Sequence, residues 1–266
     1  MKIIVCVKQV PDTSGKVAVN PDGTLDRASM QTITNPDDLN AVEAALKLKD
    51  ETGCEVVVVT MGPPPAEGML REILARGADK AVLVSGREFG GSDTYATSQI
   101  LAAAINRIGV EKDDIVMCGR QAIDGDTAQV GPQIGEKLGL PQISYAAEIK
   151  KEGDVVTVKR MLEDGYMTIK VQTPCLITCI KELNEPRYMS VGGVFEAYSK
   201  PMEVFDYNAL KDDPLIDATT IGLKGSPTNI LTSFTPPQKG AGMMLEGDDK
   251  ATCDKLAGIL AKKHII

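Results

Sequence analysis

Residues 55–84 read EVVVVTMGPPPAEGMLREILARGADKAVLV and contain one whole unit of the chain's construction. The apolar run at Glu55–Thr60 shows no alternation, as expected of a strand covered on both faces. It stops at Gly62-Pro63-Pro64, residues that cannot continue a ladder. Met69, Leu70, Ile73 and Leu74 then recur at helical spacing, and residues 80–84 (KAVLV) form another unbroken apolar run. Strand, helix and strand joined by short turns predict a parallel pair with a right-handed crossover.

The same unit recurs on both sides. Upstream, residues 2–7 (KIIVCV) predict a first strand. This run is too short for an export signal, and Lys8 interrupts it. After an excursion over residues 10–34, Asn35-Pro36-Asp37-Asp38 predicts a helix start. Asn35 would be its cap, Pro36 lies in the first turn, and the acids sit at the positive dipole end. Downstream, residues 86–93 (GREFGGSD) lead into a helix carrying Ile100, Leu101, Ala104, Ile105 and Ile108. A fourth strand, Ile115–Cys118, precedes a helix near Thr127 to Leu138. After Pro141, residues 143–149, 154–160, 166–171 and 175–180 read as strands with no room for helices. They predict an antiparallel extension of the sheet, or a small sheet beside it.

The fold class is therefore α/β: a doubly wound, mostly parallel sheet with an antiparallel extension, an extended C-terminal arm and a terminal helix. Residues 1–200 are expected to form the α/β domain and residues 201–266 the arm and helix. Beyond Pro201 the periodicity fades. Yet Leu215, Ile216, Ile221, Leu223, Ile230, Leu231 and Phe234 are too apolar for a solvated linker and suit an arm lying on another subunit. A last helix is expected over residues 249–263.

Composition narrows the function. In 266 residues, 43% hydrophobic and 25% charged is ordinary for a globular chain, which argues against disorder and a fibrous fold. A net charge of −8 argues against a nucleic-acid partner. No stretch approaches the roughly 20 apolar residues of a membrane span. The six cysteines lie mostly in apolar runs without metal spacing, which suits core thiols in a reducing, cytoplasmic setting. The single histidine, His264, sits at the C-terminus, so histidine-centred catalysis is not expected.

Ligands of open parallel sheets bind beyond the carboxyl ends of the strands. The richest loop there is GRQAIDGDTAQVG, residues 119–131. Gly125 permits a tight turn, the following amides begin a helix, and Thr127 adds a hydroxyl, all of which suits an anion. Asp124 and Asp126 would cap the helix or bind ribose hydroxyls. The loop at residues 86–98 has the same logic, with Gly90, Gly91, Thr94, Thr97 and Ser98. A capped turn without ligand would explain each loop alone; two neighbouring loops favour a nucleotide. With no catalytic side-chain set, bound cofactor chemistry is favoured.

The chain resembles the electron-transfer flavoprotein beta subunit from end to end. The matching segments are VCVKQVPD (5–12), NPDDLNAVEAALKLK (35–49), VVTMGPP (58–64), GRQAIDGDTAQVGP (119–132) and ELNEPRY (182–188). The resemblance implies a heterodimer with an alpha subunit that carries a redox FAD and is embraced by the arm. FGGSDTYATS (89–98) is similar to the bifurcating subgroup, in which the beta subunit binds a second FAD that exchanges a hydride with NAD(H). Electrons would then pass to a flavin-dependent dehydrogenase, acyl-CoA or 2-hydroxy acid, and to ferredoxin or flavodoxin. NADH oxidation is expected only within the complex. Carried over by motif, Cys6, Asn35, Met61 and Ala122 to Gln133 would surround the adenine, ribose and phosphates. These include Asp124, Gly125, Asp126, Thr127, Gln129, Val130 and Gly131. Thr94, Ala96 and Thr97 would line the flavin. Arg120 is a candidate electrostatic partner. Residues 189–200 correspond to the family's dehydrogenase-docking segment, with Val191 in place of a larger anchor. The competing readings are a conventional subunit holding a structural AMP and a stand-alone nucleotide-binding sensor.

Overall fold

The computed structural model describes residues 1–12, 31–228, 231 and 240–266. It begins with β1 (Lys2–Cys6), a two-stranded antiparallel ribbon of β2 (Gln9–Pro11) and β3 (Thr32–Thr34), and α1 (Pro36–Thr52). The repeating unit continues through β4 (Glu55–Met61), α2 (Glu67–Arg76), β5 (Lys80–Val84), α3 (Thr94–Ile108), β6 (Ile115–Gly119) and α4 (Val130–Lys137). Then come β7 (Gln142–Glu152), β8 (Val155–Met161), β9 (Tyr166–Gln172) and β10 (Cys175–Cys179). The chain ends through α5 (Val191–Glu196), β11 (Met202–Phe205), α6 (Tyr207–Leu210), α7 (Gly222–Gly225) and α8 (Lys250–Lys262).

Among the described residues, nine strands share one sheet in the order β11-β5-β4-β1-β6-β10-β7-β8-β9. The strands from β11 to β7 are parallel. The pairs β7–β8 and β8–β9 are antiparallel. The extension thus belongs to the main sheet, but the last of its four expected strands does not stay in it. β10 returns to the centre, between β6 and β7, because CLITC has no polar alternation and all five residues are buried.

Alternate side chains of the parallel strands enter two cores. Ile3, Val5, Val56, Val58, Ile115 and Met117 pack with α1 and α2. Ile4, Val57, Val59, Val116 and Leu176 pack with α3 and α4 on the opposite face. The winding reverses at β1, which pairs with β4 on one side and β6 on the other, so a crevice opens beyond Cys6 and Gly119, where such sheets place ligands.

The compact body runs past the expected boundary at residue 200. β11 pairs with β5 as an edge strand, and Phe205, Leu210, Ile216 and Ile221 are buried in the second core. Leu215 packs against the same core, so three of the arm's expected apolar residues, Leu215, Ile216 and Ile221, serve this chain's own core. Leu223 and Leu231 are exposed, the latter 98%, and Ile230 and Phe234 lie outside the described residues. α8 has no buried residue; Asp249 caps it by accepting the Thr252 amide (2.9 Å). Cys6, Cys54, Cys118, Cys175 and Cys179 are buried free thiols, and Cys253 is exposed on α8. No helix among the described residues is long and apolar enough to cross a membrane.

Candidate functional site

The crevice is closed from below by the first turn of α1. Asp38 is fully buried and accepts the amides of Lys8 (2.8 Å) and Gly119 (3.0 Å), where the chain leaves β1 and β6. Gly119 is required here: a Cβ would lie 2.3 Å from Asp38 Oδ1 and 2.6 Å from the α1 backbone. Burial pushes the Asp38 carboxyl up to about 7, against the amides and Asn35, which favour its charge. Beside it, burial raises Asp37, and the nearby Arg120 (Nε 3.3 Å away) opposes the shift. Arg120 is thus ion-paired to this chain.

Asn35 stands at the N-cap of α1 with Pro36 at the first position, but its side chain makes no cap bond. It reaches across the crevice instead. Its Nδ2 donates to the Gln121 carbonyl (2.8 Å), and its Oδ1 accepts the Ile123 amide (3.1 Å). Asn35 therefore holds residues 121–123 to the body. Lys8 Nζ pairs with Asp124 at 2.7 Å, and Gln121 Nε2 donates to Asp126 (2.8 Å). Neither acid caps a helix.

α4 begins at Val130, three residues later than expected, so Thr127 belongs to the loop before it. The left-handed backbone falls on Asp126 (φ 49°) and Ala128 (φ 52°), not on Gly125. Asp tolerates that region; Ala there stores roughly 1 kcal/mol of strain. The consequence is an α4 start without a side-chain cap. Pro132 carries no N–H, so the amides of Val130 and Gly131 are the donors that this terminus presents. Gly131 allows a close approach to the sheet, since a Cβ would meet Thr178 Cγ2 at 2.9 Å. The buried Gln133 Oε1 and Thr60 Oγ1 have no hydrogen-bond partner among the described residues.

The second loop differs. Asp93 caps α3 by accepting the Ala96 amide (3.0 Å), and its charge would repel a phosphate. Burial works against that charge, but the amides of Ala96 and Thr228 outweigh it and hold the carboxyl below its usual range. The Ala96 side chain is fully buried in the body, so Ala96 offers neither side chain nor amide to a ligand. Thr94 does face the first loop, its hydroxyl donating to Gln129 Oε1 at 3.0 Å. Thr97 is half-buried, Met61 half-buried and Cys6 buried at the strand end.

The structure thus brings together Asn35, the loop from Ala122 to Gln129, the start of α4 and Thr94. Sequence reasoning missed Lys8, Asp38 and the Gly119 contact; all three lie in quoted motifs, but their roles depend on contacts between distant segments. No described cluster of His, Cys, Asp and Glu could hold a metal ion. Contact with Cys6 and burial push the Cys118 thiol up, and burial raises that of Cys179, so these two stay protonated.

Fold and cleft define a doubly wound α/β protein with a crevice at its switch point, bordered by an α4 start that has no side-chain cap. The electron transfer flavoprotein domain matches residues 22–210. The chain is 69% identical over 267 residues, with both chains fully covered, to the acryloyl-CoA reductase electron transfer subunit gamma of Anaerotignum propionicum. It is 52% identical over 272 residues, again at full coverage of both, to the caffeyl-CoA reductase-Etf complex subunit CarD of Acetobacterium woodii. The electron transfer flavoprotein subunit beta of Clostridium acetobutylicum is 48% identical over 267 residues and likewise fully covered. The chain belongs to the electron transfer flavoprotein family and is of its beta-subunit type.

Proposed function

We propose that this chain binds FAD in the crevice and works in a heterodimer whose alpha subunit carries the second flavin. In this reading the crevice flavin, when bound, would accept a hydride from NADH. Electrons then leave through the alpha subunit to a flavin dehydrogenase and to a low-potential carrier such as ferredoxin or flavodoxin. The observation that carries the proposal is the division of labour between the two loops. The α4 start presents free amides for a diphosphate, whereas α3 is already capped by Asp93 and leaves Thr94 as a neutral wall. A dinucleotide needs such a wall beyond its phosphates; AMP does not.

The residues fit the group. Val130 and Gly131 would receive phosphate oxygens at the uncapped start of α4. Asn35 fixes the 121–123 backbone that borders the adenine side. Lys8 offsets the charge of Asp124, which would otherwise repel an anion. The flavin, when bound, supplies the capacity to accept a hydride and release electrons singly. The chain's own part is to hold it, exclude water and fix its distance to the partners.

A CoA-ester reductase as the partner dehydrogenase is supported by the names of the 69% and 52% relatives, an acryloyl-CoA reductase electron transfer subunit and a caffeyl-CoA reductase-Etf complex subunit. We place the dehydrogenase contact on residues 188–198. There Tyr188, Val191, Phe195 and Tyr198 are exposed by 75% or more. The alpha subunit would cover residues 240–266, whose helix buries nothing in this chain. Anaerobic addition of NADH to the purified heterodimer tests the reading. Bleaching of bound flavin is expected; no bleaching would leave the crevice a structural AMP site.

A further inference from the structure

Residues 221–228 are stitched to the Gly90–Asp93 turn by five hydrogen bonds. The Leu223 amide donates to the Gly90 carbonyl (3.0 Å), and the Gly222 amide to Ser92 Oγ (3.1 Å). The Thr228 amide donates to Asp93 Oδ2 (3.0 Å), and the Asp93 amide to Ser226 Oγ (2.8 Å). Ser226 Oγ also lies 3.3 Å from the Gly91 carbonyl and donates to Gly222 O at 2.7 Å. The two segments touch closely enough to require glycine on both sides. A Cβ on Gly91 (φ 76°) would meet Leu223 Cβ at 2.9 Å, and one on Gly222 (φ 63°) would lie 2.2 Å from the Glu88 carbonyl.

Ser226 is the buried node of this seam. Its hydroxyl accepts from one segment and donates within the other, so both remain satisfied only while they stay in register. The seam leads directly to the crevice. Asp93 precedes Thr94, and Thr94 is bonded to Gln129 of the phosphate-side loop. A shift of Asp93 therefore moves the Thr94 hydroxyl that joins the two walls.

We infer that Ser226 is a positioning residue for the crevice: it fixes the Gly90–Thr94 loop at the end that receives the pyridine nucleotide, without touching the ligand. This rests on the NADH-reacting flavin proposed above. The Ser226→Ala change removes the acceptor of the Asp93 amide and the donor to Gly222 while leaving every apolar contact in place.

The test uses the full-length chain in its heterodimer, as wild type, Ser226→Ala and Ser226→Cys. Amide exchange at Asp93 is expected to quicken about tenfold in the alanine variant, the scale of one lost hydrogen bond. KM for NADH is expected to rise about tenfold, with reduction of bound flavin by dithionite unchanged and the cysteine variant intermediate. Faster exchange with an unaltered KM would overturn the inference and leave Ser226 merely structural; unaltered exchange would also overturn it. If wild type does not react with NADH, the proposed function fails separately. Ser226 is then judged by Asp93 exchange and by the release rate of bound adenine nucleotide: a faster rate sustains its positioning role, and an unchanged rate refutes it.

Discussion

Asp38 accepts two amides from chain segments that leave neighbouring strands, and it does so from a fully buried site at the start of α1. Burial raises its carboxyl from 3.8 to about 7, so the folded chain holds a proton that the unfolded chain has released. The stability this confers is complete below about pH 4 and is lost as pH rises toward 7. Urea unfolding of the chain is therefore expected to show stability falling across that window. Asp38→Asn should flatten the fall and cost about 1–3 kcal/mol, because one amide loses its acceptor. An unchanged slope in the variant would contradict the assignment. The sequence made Asp38 visible only as an acid in a helix's first turn. Its actual partners, Lys8 and Gly119, lie 30 and 81 residues away. Asn35 was likewise legible as an N-cap by position, and its bonds to Gln121 and Ile123 were not, because nothing local encodes them.

Elements held by polar contacts to backbone can turn apolar side chains outward, and the 184–200 segment is built this way. Arg187 pairs with the buried Glu43 (2.8 Å) and with Asp50 (2.8 Å), pinning the segment to α1. Asn40 and Asn184 exchange side-chain amides with each other's carbonyls (2.7 and 3.0 Å). Arg76 donates to the Arg187 carbonyl, and Lys200 Nζ caps the end of α2 at Leu74 and Ala78. Gly193 lets α5 sit on α2, since a Cβ would lie 2.2 Å from the Ala75 carbonyl. The face left free carries Tyr188 at 92% and Phe195 at 79% exposure. Phe195→Glu should leave the fold and the NADH reaction intact. Electron delivery to the partner dehydrogenase should fall about tenfold or more, as when an interface anchor is lost. Equal delivery by variant and wild type would remove this face from the docking site. The strand and helix periods were readable here and throughout the parallel half. The placement of β10 and the direction faced by Phe195 and Tyr198 were not, because a strand's neighbour and a short helix's free side are set by tertiary packing.

At the scale of the molecule, the winding reverses at β1, and everything the crevice uses converges there: the α1 start, the 120–129 loop, α4 and the capped α3. That convergence follows from alternating strands and helices, so the site's location was legible before its geometry. The extent of the body was less so. Residues 202–221 carry no strong period, yet they complete the sheet edge and the second core. Beyond residue 240 no apolar residue is buried in this chain, and Met243 and Met244 are exposed, which suits the proposed cover by a second subunit. The central claim, a flavin rather than a mononucleotide in this crevice, is tested most directly by extracting and counting the nucleotides of the purified heterodimer. The account predicts two FAD per heterodimer and no AMP; one FAD with one AMP would contradict it.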